Sequence, residues 1–261
     1  MSRSAPPPPG TPGVRVLGAD VAAGRWVGVV LDGAADGPAS AAAVTAPTVA
    51  ELVRQARAGG ELAVVALDIP IGLPDAGRRA ADVAARALLG PRRASVFLTP
   101  VRPALLAASY EEAAAVNRAL AGEGLSRQAF ALAAKVLEVD AWVHRDAGPD
   151  AGPDGGPDGG PDGLRVVEVH PELSFAAMAG HPLEHRKKSW AGAELRCSLL
   201  REQGVELTGP LGRAGEVAAV DDVLDAAAAA WSARRCAAGL ARCLPDPPER
   251  SSDGWPAAVW T

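Results

Sequence analysis

Residues 14–31 read VRVLGADVAAGRWVGVVL, two runs typical of β-strands around a short turn. The run 14–20 alternates in polarity and contains β-branched residues, residues 22–25 form the turn, and the run 26–31 returns. This pattern predicts a β-hairpin. Residues 41–45 are predicted to add a third strand.

The segment after the hairpin predicts a helix and then a central strand. Thr48 is the expected N-cap, Glu51 completes a capping box, and Gly59 and Gly60 close the helix. Residues 62–69, LAVVALDI, are an apolar run that suits a strand buried on both faces. The order β-β-β-α-β is how a ribonuclease-H-like fold begins. We therefore predict an α/β protein, a mixed sheet with a hairpin meander and then α/β crossovers, flanked by helices.

The rest of the chain continues this pattern. Further helices are predicted over residues 78–89, 110–121 and 127–143, after Ser189, and from Asp221 to about Cys243; strands are predicted over residues 164–169 and near the end, in WPAAVWT.

One domain is expected over residues 14–261. Residues 1–13 are Pro-rich and predict a disordered tail, and the Gly-Pro-Asp repeats at about 146–163 predict a flexible insertion without apolar groups to bury.

Composition narrows the class of protein. The chain has 261 residues and a formal net charge of -5, which does not suggest a general nucleic-acid binder. Its three cysteines include no CxxC pair, which argues against a disulfide framework and a zinc site. No signal peptide and no apolar run of about 18 residues is evident, so a cytoplasmic protein without a membrane span is expected. The alanine richness is attributed to coding bias.

Five acids are the candidate catalytic residues. Three of them lie at or near the ends of predicted strands, and two lie three residues apart on one helix face. Clustered carboxylates repel one another unless a cation neutralises them, and Mg²⁺ or Mn²⁺ accepts oxygen ligands of this kind. The five are Asp20, Asp68, Glu168, Asp222 and Asp225.

Each acid also has a structural interpretation. Asp222 near a helix start is favourable with the helix dipole alone. Asp20 and Asp68 suit turns or caps. Glu168 can pair with an arginine such as Arg165.

Basic residues and one histidine are the candidate substrate-binding groups. Arg92 and Arg93 lie in a Pro-bounded segment and have the chemistry that a phosphate ligand needs. His170 follows Glu168 by two residues and is predicted to orient a ligand or act as a base. Lys187 and Lys188 are given less weight, and the scattered tryptophans are expected to pack rather than to stack on bases.

Motifs along the chain resemble a known family. In order they are GADVAAGRW, LDIPIGLPDAGRRAAD, LLGPRRASVFLTPVR, GLSRQAFAL, KVLEVDAW, VEVHPELSF and DDVLDAAAAAW. From about residue 14 to residue 260 the chain resembles the family catalogued as domain of unknown function 429, described as predicted ribonuclease-H-like nucleases. The pattern DDVLDA also resembles the helix motif of Holliday-junction resolvases. That resemblance implies metal ligation by Asp20, Asp222 and Asp225, with Asp68 as the fourth-strand acid. These four are therefore the predicted metal ligands, and Glu168 is an outer or alternative ligand.

The expected function is a metal-dependent phosphodiesterase that acts on a nucleic acid or a nucleotide. One alternative is an actin-like nucleotide-binding phosphotransferase, although the first hairpin lacks a Gly-rich phosphate loop. Another is a non-catalytic binding module of the same fold. The sequence leaves the substrate and the oligomeric state open.

Overall fold

The computed structural model describes residues 13–34, 38–145 and 160–261. The strands within these ranges are β1 (Val14–Ala22), β2 (Arg25–Gly33), β3 (Ala39–Ala46), β4 (Val64–Leu67), β5 (Arg165–Val169), β6 (Cys243–Arg250) and β7 (Pro256–Trp260). They form one sheet in the order β3-β2-β1-β4-β5-β7-β6.

Helices cover both faces of this sheet. The α-helices of the described ranges are α1 (Val49–Arg57), α2 (Ala80–Leu89), α3 (Arg102–Leu105), α4 (Tyr110–Ala121), α5 (Arg127–Ala131), α6 (Ala133–Val143), α7 (Pro171–Ala179), α8 (Trp190–Glu202), α9 (Gly212–Val217) and α10 (Val220–Ala237).

The predicted hairpin and crossover are confirmed. β1 and β2 are antiparallel with Ala22 opposite Arg25, so Ala23 and Gly24 form the turn, with φ angles of 49° and 76°. Left-handed turn residues of this kind match the twist of a hairpin. After α1, β4 joins β1 in parallel, and β5 then joins β4 in parallel. The fold is therefore the predicted mixed α/β, ribonuclease-H-like sheet flanked by helices.

The two faces of the sheet bury different side chains. On one face, alternate residues such as Val16 and Ala66 pack with the alanines of α10. On the other, Leu17 and Leu67 pack with Leu52 of α1 and with α6. This alternation decides which strand-end residues point toward α10.

Two predicted helix boundaries are wrong. Residues 127–143 are two helices interrupted at Leu132, whose N–H is shared between the carbonyls of Gln128 and Ala129 at 3.2 Å each. The last long helix ends at Ala237 because Gly239 takes a φ of 70°, a left-handed helix end that glycine favours. Cys243, which was predicted to lie at the end of this helix, instead begins β6. This strand pairs with the predicted final strand, β7.

The predicted tail and insertion lie largely outside the described residues, which begin at residue 13 and omit residues 146–159. The last residues assigned to the insertion are ordered. Pro161–Gly163 form a 3-10 turn, Pro161 is buried, and Asp162 Oδ2 accepts a hydrogen bond from Arg57 Nη1 at 2.8 Å. These residues therefore pack against the rest of the domain, which their composition did not predict.

None of the described helices is long and apolar enough to cross a membrane.

Candidate metal centre

Two parallel strands bring the first two acids together. In the ladder between β1 and β4, Ala19 lies opposite Leu67, so the next residues, Asp20 and Asp68, follow at the same edge of the sheet. The backbone N–H of Asp68 donates to the carbonyl oxygen of Ala19 at 2.8 Å and extends this register. Both acids are in phase with the residues that face α10.

The third acid comes from α10, which lies unusually close to β1. A Cβ atom at Gly18 would lie 1.9 Å from the backbone N of Ala230 and 2.4 Å from the carbonyl oxygen of Ala226. Glycine on the strand and alanine on the helix therefore permit backbone-to-backbone packing, which carries Asp225 to the strand ends. The alanine run, which we attributed to coding bias, has this structural role in α10.

Asp20, Asp68 and Asp225 form a compact group that we call the acidic cluster. One carboxylate oxygen from each lies within 4.8 Å of those of the other two. Asp20 is 9% exposed and Asp225 is 2% exposed. Asp225 Oδ1 is buried and has no hydrogen-bond partner among the described residues.

Burial and the charges of neighbouring acids raise the pKa values of the carboxyl groups in this cluster. Burial, followed by the charges of Asp68 and Asp225, raises the pKa of Asp20 well above its usual value. Burial raises the pKa of Asp68 to about 7 and that of Asp225 to about 7, although the charge of Lys187 opposes both increases. The arrangement is that of a site prepared for a positive charge.

Lys187 supplies such a charge. Its Nζ lies 2.5 Å from Asp225 Oδ2 and 3.7 Å from Asp221 Oδ2. Burial lowers the pKa of Lys187, but the charge of Asp225 and their hydrogen bond raise it more. Lys188 is more peripheral, with its Nζ 3.9 Å from Asp221 Oδ2 and its side chain 80% exposed.

The acidic cluster opens into a cavity of about 620 Å³. It is large enough for a nucleotide-sized group. Acidic, basic and apolar groups line it: Asp20, Val21, Asp68, Ala94, Ser95, Phe97, Gln128, Ala131, Leu132, His170, Pro171, Glu172, Lys187, Lys188, Asp221, Asp222 and Asp225.

Asp222 lines this cavity but is not part of the acidic cluster. Its Oδ2 accepts a hydrogen bond from the backbone N–H of Ala219 at 3.3 Å, at the start of α10. This is the structural role that its position near a helix start suggested.

Glu168 is held elsewhere. Its Oε2 accepts hydrogen bonds from the backbone N–H of Ile71 at 2.7 Å and from Arg79 Nη2 at 2.5 Å. Arg79 is 1% exposed, and its Nη1 also lies 3.5 Å from Asp82 Oδ1. Glu168 is thus paired with a buried arginine, as the structural interpretation allowed, and that arginine is Arg79.

The predicted substrate-binding groups lie at different distances from the cavity. His170 lines it, and its Nε2 lies 3.2 Å from the carbonyl oxygen of Ser95. Burial lowers the pKa of His170. In the described part of the chain, the lining includes neither Arg92, which contacts the carbonyl oxygen of His185, nor the exposed Arg93.

Sequence reasoning missed two acids of the cavity, Asp221 and Glu172. Glu172 is 6% exposed; its Oε1 accepts from Arg196 Nη2 at 2.6 Å, and its Oε2 has no partner among the described residues. The charge of Glu172 adds to the raised pKa of Asp68 and of Asp225. Pro171 at the first position of α7 was the available signal for this helix, because proline is favoured at the first helical position.

A second cluster of potential metal ligands is already neutralised by an arginine. Ligand atoms of Asp140, His144 and Asp253 lie within 4.8 Å of one another. The guanidinium of Arg102 forms ion pairs with both carboxylates. An arginine therefore supplies the positive charge that a cation would bring.

Comparison with known proteins gives a family and no activity. No curated protein and no solved structure matches the chain. A family model described as "Protein of unknown function (DUF429)" matches residues 18–250, which include the acidic cluster and the residues that line its cavity. The chain therefore belongs to the DUF429 family of proteins of unknown function.

Proposed function

We propose that this protein is a divalent-metal-dependent phosphodiesterase that acts on a nucleic acid or a nucleotide. The observation that carries the proposal is the acidic cluster, with its three carboxylates within 4.8 Å at the wall of a large cavity. Buried carboxylates at this spacing are unfavourable without a nearby cation.

The donor set fits a hard divalent cation. Asp20, Asp68 and Asp225 would hold Mg²⁺ or Mn²⁺, because both ions prefer carboxylate oxygens. Asp225 Oδ1 is buried, lacks a hydrogen-bond partner among the described residues, and is available as a ligand. When bound, such a cation supplies Lewis-acid polarisation of a phosphoryl oxygen.

Other residues of the cavity suit a phosphate ester. Lys187 and Lys188 bring positive charge to the same wall. Donation from His170 Nε2 to the carbonyl oxygen of Ser95 would leave Nδ1 as the acceptor nitrogen of the neutral ring. Arg92 and Arg93 directly precede Ala94 and Ser95 of the lining, where they would contact a substrate that extends beyond the cavity.

An exposed aromatic side chain favours a nucleic acid over a smaller phosphate ester. Trp190 is 85% exposed and lies two residues after Lys188, whereas Trp26 and Trp231 are buried. A base can stack on an exposed indole, at about 1–3 kcal/mol per base. Trp190→Ala should therefore weaken the binding of a single-stranded oligonucleotide by about tenfold, measured by fluorescence anisotropy in EDTA. Trp190→Phe, which keeps a ring, is the matched control.

Thermal melts and hydrolysis assays test the proposal together. Mn²⁺ or Mg²⁺ at a hundredfold excess over its dissociation constant should stabilise the fold by about 2.7 kcal/mol, and EDTA should reverse this. Single- and double-stranded DNA and RNA are then offered as substrates, with Asp20→Asn as the inactive control. No thermal response at millimolar metal, or hydrolysis that survives in Asp20→Asn, would contradict the proposal.

One observation favours a non-catalytic binding module as the second candidate. The contact between Lys187 and Asp225 partly neutralises the acidic cluster without any metal ion. Oligonucleotide binding that is unaffected by metal, with no turnover of any substrate, would favour this candidate.

A further inference from the structure

Lys187 reaches the acidic cluster from outside the sheet, with its Nζ 2.5 Å from Asp225 Oδ2. We infer that its ammonium group is the internal counterion of the cluster and that a divalent cation must displace it to bind. This inference rests on the proposed function and adds a control step to the same site. It goes beyond the sequence prediction, which gave Lys187 only a minor place in phosphate binding.

The contacts of Asp225 are divided between its two oxygens. Oδ2 is taken by Lys187 Nζ at 2.5 Å, and Oδ1 is buried without a hydrogen-bond partner among the described residues. A purely structural ion pair at a site this buried would be expected to satisfy both oxygens. One oxygen is therefore held by the lysine, while the other remains available to a ligand that approaches from Asp20 and Asp68.

Two positive charges cannot occupy this space at low cost. The three carboxylates lie within 4.8 Å of one another, and Lys187 Nζ is in contact with one of them. A divalent cation among these oxygens would face the ammonium group at a few ångströms, where like charges repel strongly in a partly buried site. The cation and the ammonium group therefore compete for Asp225.

The position of Lys187 in the fold makes its displacement easy. It lies in the segment between α7 and α8, and its side chain is 37% exposed, whereas Asp225 is anchored on the long helix α10. Rotation about the flexible lysine stem moves the ammonium group into the adjoining cavity without any movement of β1 or α10. There it would face the phosphate of a substrate, so the displaced group becomes a positioning residue.

The test uses the full chain with Lys187→Met, which keeps an unbranched side chain of nearly the same length and removes its charge. Lys188→Met is the matched control. The Lys188 side chain is 80% exposed, and its Nζ has a weaker contact, at 3.9 Å from Asp221 Oδ2. Mn²⁺ affinity is measured by isothermal titration calorimetry, and the metal-free melting temperature is measured in EDTA.

We expect opposite effects from Lys187→Met on the two forms of the protein. The metal-free protein should melt several degrees lower, because the acidic cluster loses its counterion. The dissociation constant for Mn²⁺ should fall about tenfold or more, because a competing charge is gone. Lys188→Met should change that dissociation constant by less than about twofold, since its charge is exposed and screened. If Lys187→Met alone does not fold, the double variant with Asp225→Asn should recover folding, because the main partner of the lysine is then neutral.

The outcomes separate this inference from the proposed function. Unchanged or weaker Mn²⁺ binding by Lys187→Met, in a parent that binds Mn²⁺, would overturn the inference and leave the proposed function standing. Absence of Mn²⁺ binding in both proteins would overturn the proposed function, and the inference with it. Binding by Lys187→Met but not by the parent would support the inference and would show that the lysine excludes the metal.

Discussion

Asp68 and Glu168 come from neighbouring parallel strands, within one residue of the same register position, yet the charged groups that they meet are different. Leu67 of β4 lies opposite Glu168 of β5, so Asp68 is one position further along the sheet. Asp68 belongs to the acidic cluster beside the cavity. Glu168 is bound by Arg79 at 2.5 Å and by the backbone N–H of Ile71 at 2.7 Å.

This difference shows that position at a strand end does not by itself make an acid part of a site. Successive side chains of a strand point to opposite faces of the sheet, so a shift of one residue moves the carboxylate to the other face. Asp68 is in phase with Ala66, which packs with α10, and Glu168 is in phase with Leu67 and Val166 on the opposite face. A buried arginine then satisfies Glu168, whereas Asp68 shares its surroundings with other acids.

Substitution of Arg79 should cause the largest loss of stability. Arg79→Met leaves Glu168 and Asp82 buried without their cation, and breaking a buried ion pair from one side costs about 3–5 kcal/mol. Urea denaturation measures the loss. Arg78→Met is the matched control, because Arg78 pairs with Glu123 while 55% exposed, and should cost less than about 1 kcal/mol. Equal losses in the two variants would show that the Glu168 pair is no more important than a surface pair.

Removal of a charge from the acidic cluster should instead raise the stability of the metal-free protein, by a smaller amount. The pKa of Asp68 is raised to about 7, mainly by burial, from an ordinary value of 3.8. The folded state therefore binds the proton more tightly than the unfolded state does, and the stability this contributes is present below about pH 4 and lost as the pH rises through about 7. Metal-free Asp68→Asn should exceed the stability of the parent at pH 8, by on the order of 1 kcal/mol, and this margin should shrink as the pH falls toward 5.

Melting temperatures in EDTA across this pH range test that prediction. A parent and a variant that differ by the same amount at pH 5 and pH 8 would mean that Asp68 does not titrate within the cluster. A variant that is less stable at pH 8 would mean that Asp68 is held by a favourable partner, as Glu168 is.

Much of the fold was predictable because its signals are local. The hairpin, the helix that begins after Thr48 and the apolar run of β4 each depend on residues near in sequence, and together they specify the order of the first four strands. Gly239 and Pro171 were local signals as well, and they mark the end of α10 and the start of α7. The close approach of α10 to Gly18 could not be predicted, because it joins residues more than 200 positions apart along the chain.

The candidate site was predictable only in part, for the same reason. Asp20 and Asp68 end strands whose parallel neighbourhood follows from the strand order, and Asp225 was selected from its helix. The register between β4 and β5, which separates Glu168 from Asp68, is a tertiary property that single-sequence periodicity does not contain. The partners Lys187 and Arg79 were equally hidden, since nothing local marks which of many basic residues will meet a buried acid.

The smallest change in stability is expected from substitution of Asp222, which lies on α10 three residues before Asp225. Its carboxylate accepts a hydrogen bond from the backbone N–H of Ala219 and lies close to the positive end of the helix dipole. Asp222→Ala should therefore cost up to about 1 kcal/mol of stability and leave the Mn²⁺-induced rise in melting temperature intact. Asp225→Ala is the comparison, and it should lose that rise. If Asp222→Ala also lost it, the carboxylate of Asp222 would have to turn from the helix start toward the cavity when metal binds, and the four-ligand set expected from the sequence would replace the three-ligand set proposed from the geometry.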